Sequence, residues 1–127
     1  MPFVELGSPD ELSDFIQENQ RGCVVCFSAS WCGPCKRSKP ELVALAGSER
    51  VGSVPVGYVL EESLTEDDDD YLGMFATIFL KGTISAFPTY VCFRESGESE
   101  RIVGVKMGEV LQAMERIVDS SSPSNSK

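Results

Sequence analysis

Apolar positions change period several times along the chain, and each change marks an element. Phe3-Val4-Glu5-Leu6 reads as a short first strand, and Gly7-Ser8-Pro9-Asp10 has the composition of a turn. Ser8 can cap a helix that starts at Pro9, with Glu11 completing the capping-box pattern and Leu12, Phe15 and Ile16 on one face. Arg21-Gly22 is expected to end it. Cys23 to Phe27 is apolar without alternation, as in a central strand covered on both faces. A second helix follows, with Leu42, Val43, Leu45 and Ala46 on its buried side, a kink at Pro40 and a close at Gly47. Val54 to Leu60 predicts a third strand, its start blurred by Pro55. Tyr71, Met74, Phe75, Ile78 and Phe79 recur at helical spacing and predict a third helix packed on the core. Thr89 to Arg94 and Arg101 to Val105 predict antiparallel strands joined through Glu95-Ser96-Gly97-Glu98. Val110, Leu111, Met114, Ile117 and Val118 make Met107 to Val118 an amphipathic last helix. Residues 1–119 thus form one α/β domain, and residues 120–127, Ser-rich and without an apolar anchor, are expected to be disordered.

Composition narrows the class. A chain of 127 residues with 42% hydrophobic content can build one core. It has no apolar run long enough to span a bilayer. A net charge of −9 argues against nucleic acid and anionic membranes as partners and favours basic protein surfaces. The absence of histidine excludes Cys/His proteases, Ser/His hydrolases and histidine-ligated metal sites. The start, Met1-Pro2-Phe3-Val4-Glu5, lacks the features of a secretory or transit leader. Five cysteines, an odd number, fit a reducing intracellular compartment better than a disulfide framework, with the cytoplasm or a mitochondrial matrix as the expected sites.

The chemistry concentrates in Trp31-Cys32-Gly33-Pro34-Cys35-Lys36, between the apolar strand and the second helix. A thiol at the first turn of a helix meets unpaired N–H groups and the positive end of the dipole, and both favour the thiolate. Cys32 is therefore the expected nucleophile. Cys35, one turn further in and shielded, is expected to resolve the mixed disulfide. Gly33 and Pro34 set the spacing of the two sulfurs. Lys36 on the same turn could stabilise a thiolate, and Trp31 could pack against a docking substrate.

WCGPCK after a strand, a helix carrying Pro40, and Phe87-Pro88-Thr89 before an apolar strand together resemble the thioredoxins, and FSASWC is most similar to the nucleoredoxin and tryparedoxin branch. That resemblance implies a thioredoxin fold, a central mixed β-sheet with helices on both faces. It also implies a redox-active Cys32/Cys35 disulfide and no cofactor or metal. The function it implies is reduction or exchange of protein disulfides by a monomer, with electrons from an upstream reductase or a low-molecular-weight dithiol. Pro88 is expected to follow a cis peptide bond and to lie against the sulfurs, and Phe87 to pair its backbone with the substrate chain. Gly104 resembles the family's glycine near the active surface, with a simple bulge as the competing reading.

Two departures stand out. Where the family keeps a buried Asp, this chain has Cys26, a poor base near neutral pH, and Val54 to Leu60 holds no counterpart of the family's lysine. The resolving step is expected to be slow and the reductase activity weak. The span from Leu60 to Pro88 is also longer than the family pattern, with an acidic run from Glu66 to Asp70 expected to be solvated and lacking a calcium-loop spacing. Cys23 and Cys26 make a second CxxC, but a strand would send them to opposite faces, so Cys23, Cys26 and Cys92 are read as core residues rather than zinc ligands. A redox-regulated, chaperone-like binding protein is the alternative function, motivated by the missing Asp and the apolar segment from Met74 to Phe87.

Overall fold

A computed structural model describes residues 3–64 and 79–121. Strand β1 (Phe3–Leu6) leads to helix α1 (Pro9–Glu18), strand β2 (Cys23–Ser28), helix α2 (Gly33–Ala46) and strand β3 (Val56–Leu60), which runs into a short 3-10 turn at Glu61–Ser63. Strands β4 (Thr89–Arg94) and β5 (Gly97–Val103) and helix α3 (Met107–Ser121) complete the described residues. The expected acidic run and most of the expected third helix, Tyr71 to Ile78, fall on residues 65–78, outside the described residues, as does the tail at 122–127.

The five strands form one sheet in the order β1-β3-β2-β4-β5. β1, β3 and β2 run parallel, whereas β4 is antiparallel to both β2 and β5, so the sheet is mixed as expected. β2 lies at its centre with all its residues buried, which is why its sequence carries no alternation. On one face Leu12, Phe15 and Ile16 of α1 pack with Val25, Phe27, Val91 and Phe93. On the other, Leu42 and Ala46 of α2 and Val110, Met114 and Ile117 of α3 pack with Val24, Val56 and Tyr90. Each fully buried Val, Leu, Ile, Phe or Met among them contributes about 1.5–3 kcal/mol.

Local signals set most of the boundaries. Ser8 accepts the N–H of Glu11 at 3.2 Å, while the Glu11 carboxylate reaches past the cap to the N–H of Gly7 at 2.7 Å. α1 stops at Glu18 rather than at Arg21-Gly22, because Asn19 turns its side-chain amide onto the Phe15 carbonyl at 2.7 Å and caps the helix early. In α2 the buried stripe is Cys35, Ser38, Leu42 and Ala46, which leaves Val43 outside and 42% exposed, against expectation. β3 begins at Val56, since Val54 is spent in a turn bonded to the Val51 carbonyl. The β4–β5 turn is tighter than expected: Glu95 and Ser96 both take positive φ, 52° and 69°, and β5 starts at once with Gly97. α3 runs on through Ser120 to Ser121, into the stretch expected to open the tail.

Candidate active site

β2 ends at Ser28, and Cys32 is the N-cap of α2. Its sulfur accepts the N–H of Cys35 at 3.2 Å, so the donor that the helix start leaves unpaired points at sulfur. Cys32 and Cys35 are joined as a disulfide with Cα atoms 5.3 Å apart, and they are 4% and 1% exposed. The reactive pair is therefore shielded, and its more accessible member is the one at the helix start.

A second chain segment closes over the sulfurs. The Phe87–Pro88 peptide bond is cis, and the Phe87 carbonyl oxygen lies 3.6 Å from Cys32 Sγ. Phe87 packs against Ala29, Cys32 and Cys35 on one side and the α1-side core on the other. Trp31 meets its ring edge to face at 5.8 Å and is otherwise 70% exposed. Thr89 ties the turn down by donating to the Ala86 carbonyl at 2.6 Å. Gly104, at φ 92°, donates its N–H to the Pro88 carbonyl at 2.8 Å, whereas the bulge of this hairpin falls between Cys92 and Phe93. Trp31, Cys32, Gly33, Pro34, Cys35, Phe87, Pro88 and Gly104 thus converge at one end of the sheet.

Cys26 belongs to a different layer. It faces the α2/α3 side, at paired registers between Tyr58 of β3 and Tyr90 of β4. Ser28 donates to the Tyr58 hydroxyl at 2.8 Å, Ser38 shares a hydrogen bond with the Tyr90 hydroxyl at 3.3 Å, and Lys39 sits 4.6 Å over the Tyr58 ring. Burial pushes the Cys26 thiol up to about 12 and Tyr90 likewise to about 12, so neither takes or gives a proton near neutral pH. Cys23 lies on the opposite face of β2, as strand alternation requires.

Several contacts here carry no one-dimensional signal. Glu62, on the 3-10 turn, accepts the Ser30 N–H at 3.2 Å, and hydrogen bonding to Ser30 holds its carboxyl below the usual range. Arg101 donates to Glu98 and to the Gly82 and Thr83 carbonyls, while Glu98 accepts the Lys81 N–H at 2.7 Å. This clamp anchors the segment that leads to Phe87. Ser38 alone was findable, at the i+3 position from Cys35 on the buried stripe of α2.

Residues 4–71 match the family model described as Thioredoxin. The chain belongs to the thioredoxin family. It is 32% identical over 102 residues to Thioredoxin H2 of Arabidopsis thaliana, covering 80% of this chain and 67% of that protein. It is also 32% identical over 113 residues to Thioredoxin H2-1 of Oryza sativa subsp. japonica, covering 89% and 72%. The crystal structure of a thioredoxin from Nicotiana alata superposes with a TM-score of 0.73 at 23% identity, covering 91% of each chain, a likeness of fold. As a thioredoxin-family member with a Cys32–Cys35 pair, the chain is a dithiol–disulfide oxidoreductase.

Proposed function

We propose that Cys32 is the attacking thiolate and Cys35 the resolving thiol in reduction of protein disulfides, with Trp31, Gly33, Pro34, Phe87, Pro88 and Gly104 forming the substrate surface. In the reduced protein the Cys32 thiolate attacks one sulfur of the substrate disulfide. A mixed disulfide forms, and the released substrate thiolate takes a proton. Cys35, losing its proton, then attacks Cys32 Sγ, the second substrate thiolate leaves, and the Cys32–Cys35 disulfide closes. Two electrons pass to the substrate, and an upstream reductase or a small dithiol restores them. The observation that carries the reading is the Cys35 N–H aimed at Cys32 Sγ, with the Phe87 carbonyl alongside.

The proton of Cys35 leaves without a buried carboxylate in this account. Cys26 and Tyr90, each pushed up to about 12, stay neutral, which supports a slow resolving step with water as proton acceptor. The protein acts as a monomer in a reducing compartment, the cytoplasm or a mitochondrial matrix; free, buried Cys23, Cys26 and Cys92 support that setting. Insulin reduction with dithiothreitol tests the assignment: wild type exceeds the dithiothreitol background and Cys32→Ser does not. Equal rates for the two proteins would remove it.

A further inference from the structure

On a chain of net charge −9, the reactive end of α2 carries the consecutive cations Lys36 and Arg37. Both are exposed, and neither side chain makes an ion pair or hydrogen bond among the described residues. Arg37 has an i+4 acid available in Glu41 but does not use it. Helical side chains lean toward the N-terminus, and this one folds back over the turn between the two cysteines. Its Nη1 and Cζ lie 3.0 Å and 3.8 Å from where a Cβ on Gly33 would stand. Gly33 thus leaves room for one end of the guanidinium to reach the turn between the two cysteines.

Arg37 also lines a surface cavity of about 320 Å³ with Pro34, Ser38, Glu41 and Val105. Val105 is 45% exposed and directly follows Gly104, which holds the Pro88 carbonyl, so the cavity adjoins the surface over the dithiol. Its charged groups are Arg37 and Glu41. A guanidinium with free N–H groups in such a position matches a carboxylate with two parallel hydrogen bonds. Glu41 limits the cavity to one carboxylate, because a second would face it.

We propose that Arg37 is a specificity-determining residue that binds the carboxylate of an Asp or Glu flanking the substrate's reactive disulfide. The inference rests on the oxidoreductase reading and adds the substrate class. The overall negative charge repels acidic chains at long range, so selectivity resides in the short-range contact and in the ratio of rates, not in their size.

Three cyclic disulfide peptides, identical but for Glu, Gln or Lys beside the first cysteine, test it with wild type, Arg37→Gln and Arg37→Glu. The Glu:Gln ratio of kcat/KM falls about two- to fivefold from wild type to Arg37→Gln, as for one exposed ion pair. Arg37→Glu moves the preference to the Lys peptide. The same Glu:Gln ratio in wild type and Arg37→Gln, or an unchanged peptide order in Arg37→Glu, overturns the proposal and leaves the oxidoreductase reading standing. If no peptide is reduced above the Cys32→Ser background, the oxidoreductase reading itself fails, and the subsite with it.

Discussion

Alkaline pH should destabilise this fold in a way that its buried thiols determine. Cys23, Cys26 and Cys92 are each at most 1% exposed, and burial raises each from 9.0 to about 12. For Cys23 the neighbouring Cys92 adds to the rise, and for Cys92 the charge of Glu100 does. Folded thiols stay protonated where unfolded ones ionise. The unfolded chain therefore binds fewer protons above pH 9, and stability falls as pH rises toward the folded value. At pH 10 the loss is about 1.4 kcal/mol per thiol and about 4 kcal/mol for the three, against a total stability of about 5–15 kcal/mol. A Cys32→Ser/Cys35→Ser double variant is the right sample, because those positions then neither ionise nor exchange with the exposed thiolates. Urea unfolding followed by far-UV circular dichroism should show a midpoint roughly 2 M lower at pH 10 than at pH 7, for a slope of about 2 kcal/mol per M. Cys92→Val should remove about a third of the drop. A midpoint flat across this range, or the same drop in Cys92→Val, would refute the reasoning.

Other perturbations give separate tests. Arg101→Met leaves the buried Glu98 carboxylate without its ion pair and should cost about 3 kcal/mol in urea unfolding. Hydrogen bonding to Arg101 holds Glu98 below the usual carboxylate range, so wild type should lose stability as pH falls below about 4.3, and Arg101→Met should lose less over that interval. Gly104→Ala meets open space but must keep φ 92°, so thermal unfolding should show a loss of about 1 kcal/mol from backbone strain alone. Cys26→Asp puts a carboxyl between Tyr58 and Tyr90, where burial raises its pKa; stability should fall from pH 5 to pH 8, and stopped-flow traces should show faster decay of the mixed disulfide.

Sequence patterns disclosed most of the framework because β2 and the helix faces carry strong local signals. The unalternating run Cys23 to Phe27 could only be a central strand, and the hexapeptide at its end located the dithiol. Elsewhere the deciding contacts are between distant residues. Glu95 and Ser96 adopt left-handed conformations that neither favours, so the short hairpin turn was illegible. Val43 is apolar yet lies off the stripe set by Cys35, Ser38, Leu42 and Ala46. The Tyr58–Cys26–Tyr90 row depends on strand register across three strands, and the Glu98–Arg101 clamp on the path of a loop. Arg37 carries no signal of its own in the sequence, because its place against Gly33 is set by the course of its side chain.

The chemistry depends on one sulfur being made reactive by the start of α2. Fully reduced protein treated with one equivalent of iodoacetamide at neutral pH, with modified peptides mapped by mass, reads this directly. Cys32 should be modified rapidly, with reactivity persisting into mildly acidic buffer where an ordinary thiol becomes inert, while Cys23, Cys26, Cys35 and Cys92 are protected. Modification of Cys32 no faster than that of a simple alkyl thiol, or first modification at another cysteine, would contradict it.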